Sequence, residues 1–113
     1  MDTSGNITDR QARQTEEKDR AVKVIRQAIA SLETAGRQPT PWEKVVLADA
    51  ISGAWRGWYS SVAAVVRGMA TPPTKVCHPL EPMLEKYDLV SFKRALDVVD
   101  AGEATTPSFV SEL

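Results

Sequence analysis

The segment from Thr40 to Met69 constrains the fold most strongly, because it predicts one long helix that is apolar around most of its circumference. It opens with Thr40-Pro41-Trp42-Glu43, the pattern of a capping box with proline in the first turn. The helix is expected to end near Gly68, because Pro72 and Pro73 cannot continue it.

Helical spacing, at about 100° per residue, divides this segment into three stripes. The large apolar residues are Leu47, Ile51, Trp55, Trp58, Val62, Val65 and Met69. The small residues are Ala50, Gly53, Ala54, Gly57, Ser61, Ala64 and Gly68. The polar ridge consists of Asp49, Arg56 and Arg67, with Ser52 and Ser60 beside it. A typical surface helix has one apolar face, so this segment is predicted to be the central helix, covered on two sides.

The small stripe predicts close helix packing. A glycine inside a helix costs about 1 kcal/mol relative to alanine, and the close approach of a second helix would compensate for that cost. The residues expected at this contact are Gly53, Gly57, Ser61 and Ala64. A membrane span is not expected, because Asp49, Arg56 and Arg67 interrupt the apolar run.

Two further helices are predicted on either side of the central one. The first spans about residues 15–35, ends at Gly36 and should form an antiparallel hairpin with the central helix. Its apolar seam consists of Ala21, Val22, Ile25, Ala28, Ile29 and Leu32. The last spans about residues 89–101, with either Asp88 or Ser91 as its N-cap. Its buried face consists of Leu89, Phe92, Ala95, Leu96 and Val99.

The fold class that follows is all-α. It is a small bundle of three main helices (about 15–35, 40–69 and 89–101), with a short helical turn near 80–86. A chain of 113 residues predicts one domain. We assign it to residues 14–102, between a flexible N-terminal arm at 1–13 and a flexible C-terminal tail at 103–113.

Composition and charge restrict the functional classes. A net charge of −1 and a pI near 5.8 argue against a dedicated nucleic-acid binder. The single cysteine excludes an internal disulfide, and the polar first residues lack the apolar core of a signal peptide. We therefore expect a cytoplasmic protein.

The adjacent pair Cys77 and His78 is the main candidate for reactive or metal-binding chemistry. A zinc site needs three or four ligands, and nearby carboxylates would have to supply the others. Neighbouring side chains of an extended segment point in opposite directions, so His78 is poorly placed to activate the Cys77 thiol. The simpler interpretation is a structural cysteine and a surface histidine in a proline-rich connector, with no cofactor or metal.

The aromatic cluster in the central helix is the most unusual feature. Trp, Tyr and Arg are over-represented at binding hot spots, so Trp55, Arg56, Tyr59 and Arg67 are the candidate partner-binding residues. The alternative is core packing, which the stripe favours most for Trp58. A third interpretation combines Trp55, Arg56 and Arg67 in weak binding of single-stranded nucleic acid.

The leading functional hypothesis is therefore a non-enzymatic, protein-binding helical module, acting as a regulator, adaptor, inhibitor or self-associating subunit. Its partner would be another protein, or a second copy in a homodimer that fills an open stripe of the central helix. A small-ligand or metal site around Cys77 and His78 is the first alternative, and nucleic-acid binding is the second.

Overall fold

The chain folds into a small helical bundle, which confirms the predicted all-α class. The computed structural model describes residues 3–71, 80–102 and 110, with side chains described from residue 16 onward. Helices α1 (Thr3–Ala35), α2 (Pro41–Trp55) and α3 (Tyr59–Arg67) come first. A 3₁₀ turn (Gly68–Ala70), the short α4 (Glu81–Leu84) and α5 (Leu89–Ala101) follow.

Helix α2 forms the centre of the bundle, because it contacts each of the other four helices. Its buried residues cover most of its circumference: Val45, Val46, Leu47, Ala48, Ala50, Ile51, Ser52, Gly53 and Ala54. The capping box predicted at its start is present. Glu43 N–H donates to Thr40 Oγ1 at 3.2 Å, and Thr40 N–H donates to Glu43 Oε1 at 2.8 Å.

The prediction of a single helix from Thr40 to Met69 is wrong. The segment consists of α2, α3 and the 3₁₀ turn, and the break falls at residues 56–58. Gly57 has a φ of +86°, a left-handed conformation that a helix cannot contain. The chain changes direction there, so stripes drawn along one straight helix do not apply to residues beyond it.

Helix α1 packs through the predicted seam. Its buried residues are Ala21, Val22, Ile25, Ile29 and Leu32, with Ala28 partly buried against them. The helix begins at Thr3, well before the predicted start near residue 15. Its 33 residues span about 50 Å at the helical rise. It therefore determines the long dimension of a molecule that measures 57 × 26 × 26 Å.

Helices α4 and α5 close the core. Leu84, Phe92 and Leu96 are fully buried, and α5 packs on both α1 and α2. The structure also decides between the two possible N-caps of α5. Asp88 is the N-cap, and it accepts hydrogen bonds from the Ser91 backbone N–H and hydroxyl, both at 3.0 Å. Those hydrogen bonds lower the pKa of Asp88 from its ordinary value.

Polar contacts position the connecting segments. The Leu89 N–H donates to Gln38 Oε1 at 2.8 Å, which holds the start of α5 against the linker between α1 and α2. The Trp42 indole N–H donates to the Gly68 carbonyl at 2.8 Å, which ties the start of α2 to the end of α3. Arg26 donates to Asp97 and Asp100 at 2.9 and 3.0 Å and connects α1 with α5.

Candidate functional site

The break between α2 and α3 forms a corner at residues 55–59, called here the aromatic corner. Its backbone is a Schellman motif. The Trp58 N–H donates to the Gly53 carbonyl at 2.8 Å, and the Gly57 N–H donates to the Ala54 carbonyl at 3.1 Å. These two bonds end α2, and they fix the backbone at the point where α3 leaves it.

The corner exposes two large indole rings. Trp55 retains 36% of its accessible surface and Trp58 retains 61%, although both residues belong to the stripe predicted to face a helix. The prediction that Trp58 packs in the core is therefore wrong. The Arg56 guanidinium carbon lies 5.6 Å from the centroid of the Trp58 ring, within the range of a cation–π contact.

The other predicted partner-binding residues are separated along α3. Tyr59 is half-buried and packs against the core at the start of the helix. Arg67 is exposed in its last turn. The rise from Tyr59 to Arg67 is about 12 Å. The structure therefore brings Trp55, Arg56 and Tyr59 together with Trp58 and places Arg67 at the far end of α3.

The predicted close-packing residues do not form one contact. Gly53 is buried, and a Cβ atom added there would lie 4.0 Å from Val62 Cγ2. Gly57 lies in the corner, where an added Cβ would have nothing within 4 Å, and Ser61 and Ala64 are exposed. The expected close helix contact across all four residues is therefore wrong, because α3 turns away from the line of α2 after Gly57.

Two grooves lie along the seam where α1 and α3 run side by side. The first, called here the proximal groove, has a volume of about 260 Å³. It is lined by Glu17, Arg20, Ala21, Val24, Tyr59, Ser60 and Ala63. Because Tyr59 belongs to both, the proximal groove adjoins the aromatic corner.

The second groove, called here the distal groove, has a volume of about 350 Å³ and lies at the C-terminal end of α3. It is lined by Ala28, Ser31, Leu32, Arg37, Glu43, Val66, Arg67, Met69 and Ala70. Arg37 binds both carboxylate oxygens of Glu43, at 2.7 and 2.9 Å. Hydrogen bonds from Arg37 lower the pKa of Glu43 from 4.5 to about 2.

Arg56 and Arg67 differ from the arginines of α1 and the following linker. Arg20, Arg26 and Arg37 each lie within 4 Å of a carboxylate. In the described part of the chain, neither Arg56 nor Arg67 has such a carboxylate, and both are exposed. Their charge is therefore available to a binding partner.

The remaining predicted sites are a reactive or metal-binding pair and the C-terminal tail. Cys77 and His78 lie outside the described residues, as does most of the predicted C-terminal tail. Among residues 16–71, 80–102 and 110, whose side chains the structure describes, no three His, Cys, Asp or Glu residues form a group that could hold a metal ion. The same part of the chain contains no helix that is both long and apolar enough to cross a membrane.

Fold and corner together define a small all-α protein that presents an aromatic surface next to a groove. Comparisons of the chain with models of protein families, with curated proteins and with solved structures find no match.

Proposed function

We propose that the chain is a non-enzymatic protein-interaction module that binds its partner through the aromatic corner. The observation that carries this proposal is the 61% exposure of Trp58. Burial of an indole ring at an interface removes a large apolar area from water, and tryptophan is among the residues most enriched at binding hot spots. Arginine is enriched there too, and Arg56 lies beside the ring.

The backbone of the corner supports the same proposal. Association costs free energy for every side chain and loop that has to become ordered. The Schellman hydrogen bonds define the backbone on which Trp58 stands, and the Arg56 contact restricts the ring. A partner therefore meets a surface that is largely preorganised.

The partner is either another protein or a second copy of this chain. A symmetric dimer would bring together the aromatic corners of the two copies, or the corner of each copy and a groove of the other. Light scattering during size-exclusion chromatography, over a range of concentrations, separates the two cases. A mass that rises to twice the chain mass indicates self-association, and a constant monomer mass indicates a different protein.

Site-specific photo-crosslinking tests the proposal directly. A benzoylphenylalanine replaces Trp58 in the full chain, and a control variant carries it in place of Val90. Val90 is a matched control because it is also apolar and exposed, at 48%, but lies on α5. We expect discrete crosslinked products from position 58, in cells that make the protein or at high concentration of the purified chain, and none from position 90.

Equal crosslinking at the two positions would contradict the proposal, because it would show non-specific contact of exposed apolar residues. A complete absence of products from position 58 would contradict it as well. A second variant, Trp58→Ser, should lose binding of the partner but keep its helical circular dichroism, since the exposed ring contributes little to the core. Retention of the partner by this variant would exclude the corner as the site.

Nucleic-acid binding is the second candidate, and the exposure of Trp55 and Trp58 favours it, because a stacking platform needs accessible rings. The net charge of −1 is against it. Binding of this kind would weaken steeply with salt, which an oligonucleotide titration measures. A cytoplasmic location is also part of the proposal, and the single cysteine supports it.

A further inference from the structure

The charge distribution around α3 indicates the chemistry of the partner. No aspartate or glutamate occurs in the sequence between Asp49 and Glu81, a stretch that contains the aromatic corner and all of α3. Arg56 precedes the first residue of α3 by three positions and Arg67 is its last residue, and both are exposed and without a carboxylate partner in the described residues. The aromatic corner and α3 together therefore carry two positive charges and no negative one, in a protein whose net charge is −1.

The two grooves beside α3 differ in the charge of their linings. In the proximal groove Arg20 lies 3.9 Å from Glu16, and Glu17 also lines the groove, so the lining has no net positive charge. The positive charge nearest to it is Arg56, in the adjoining corner. In the distal groove Arg37 and Glu43 form an ion pair, and Arg67 remains. The distal groove thus combines an apolar lining with one positive charge that nothing in the described part of the chain neutralises, and the proximal groove has the positive charge of Arg56 beside it.

The secondary structure restricts how a polypeptide can bind here. The described residues contain no strand, so they offer no sheet edge to which an extended segment could add. Two apolar grooves along the seam of adjacent helices suit the other common mode, an amphipathic helix lying in a groove. The rise of about 12 Å along α3 corresponds to about eight residues of a partner helix.

We propose that the seam between α1 and α3 binds an acidic amphipathic helix of another protein. Its apolar face lies in the two grooves and against Trp58, and its carboxylates face Arg56 and Arg67. This inference rests on the proposed function, because it uses the same aromatic corner. It adds the sign of the partner's charge and the partner's conformation.

A display library of random peptides tests the inference. Each peptide is about 16 residues long, so that a helix of it extends past both ends of α3. The library is sorted on the immobilised full chain. We expect the selected peptides to be richer in Asp and Glu than the unsorted library, and to become helical on binding. Replacing Glu by Lys in a selected peptide should abolish binding, and replacing Glu by Gln should weaken it.

Charge variants of the protein provide the second measurement. The double variant Arg56→Gln/Arg67→Gln should bind a selected peptide about fivefold more weakly, as expected for two partly exposed ion pairs. Lys23→Gln is the control for lost positive charge, because Lys23 is on α1 but lines neither groove. We expect Lys23→Gln to bind the peptide as the unmodified chain does.

The outcomes separate this inference from the proposed function. Selected peptides that are neutral or basic, yet lose binding to Trp58→Ser, would overturn the acidic partner and leave the corner as a protein-binding site. Selected peptides that bind the Trp58→Ser variant as tightly as the unmodified chain would contradict both the acidic partner and the proposed function. A thymidine oligonucleotide that bound the corner more tightly than every selected peptide would overturn both in favour of nucleic acid.

Discussion

At the scale of single residues, Gly57 decides where the indole ring of Trp58 lies. Its left-handed backbone lets Trp58 donate to the Gly53 carbonyl, and the chain then leaves the line of α2. Without that turn, Trp58 would continue the apolar stripe of a straight helix and face another element of the bundle. One backbone conformation thus accounts for an exposed aromatic surface.

The first prediction compares two glycines of the same segment. Gly57→Ala should lower the free energy of unfolding by about 1–2 kcal/mol, because a side chain disfavours the left-handed conformation. Gly53→Ala should leave it unchanged or raise it by up to about 1 kcal/mol, since Gly53 is helical and an added Cβ would lie 4.0 Å from Val62. Urea unfolding followed by circular dichroism measures both variants. A stabilised Gly57→Ala variant would show that α2 continues through the corner.

Ser52 shows how a helical projection fails at a single position. The projection places it beside the solvent-facing ridge, yet it is only 1% exposed. Among the described groups, its hydroxyl has no hydrogen-bond partner. The exposed neighbours on the ridge, Asp49 and Arg56, conform to the projection. The width of a buried face depends on how many helices surround it, and a single sequence does not contain that information.

At the scale of elements, signals that act over a few residues predict three of the helix ends. Thr40 and Glu43 form the expected capping box, and Gly36 and Gly102 end α1 and α5 in the left-handed conformation. The same signal exists at Gly57, but the apolar residues that continue on both sides of it favour a packing role instead. The pairing of Arg37 with Glu43 does not follow from such signals, since it depends on how the linker folds.

The second prediction concerns the pH dependence of the α2 N-terminus. Hydrogen bonds from Arg37 and the backbone N–H of Thr40 hold the pKa of Glu43 at about 2, below its ordinary value of 4.5. A depressed pKa means that the ionised carboxylate stabilises the fold above pH 4.5. That contribution is lost as the pH falls from 4.5 to about 2. After allowance for solvent screening at half-exposed Arg37, we expect a loss of about 1–2 kcal/mol.

The control for this prediction is Glu43→Gln, which retains the shape of the side chain and cannot titrate. The difference in unfolding free energy between the unmodified chain and Glu43→Gln should be largest near neutral pH and should shrink toward pH 2. The other acidic groups are the same in both proteins, so their contributions cancel in the difference. A difference that stays constant with pH would show that Glu43 does not contribute through its charge.

At the scale of the whole molecule, the sequence predicts the bundle but not the surface that we propose binds a partner. The apolar seams of α1 and α5 follow from local periodicity, and their predicted residues are buried, or partly buried in the case of Ala28. The exposure of Trp55 and Trp58 depends on the direction of α3 relative to α2, which is a long-range property. The candidate residues Trp55, Arg56 and Tyr59 can be identified by type, whereas Trp58 and both grooves require the fold.

The last prediction concerns how the bundle unfolds. The buried core joins residues of all five helices into one cluster, so a substitution at one end of that core should destabilise the whole molecule. Phe92 is fully buried on α5, and Phe92→Ala should lower the free energy of unfolding by about 3–5 kcal/mol through the cavity that it leaves. Val90→Ala on the same helix, where the side chain is 48% exposed, should change it by less than about 0.5 kcal/mol.

Urea unfolding is followed by circular dichroism, which reports all helices, and by tryptophan fluorescence, to which half-buried Trp42 on α2 contributes. In Phe92→Ala the urea midpoints of both signals should fall by the same amount, because α5 closes a core that α2 shares. If fluorescence kept its midpoint while circular dichroism lost part of its amplitude earlier, α5 would unfold independently, and the single cooperative core would be refuted.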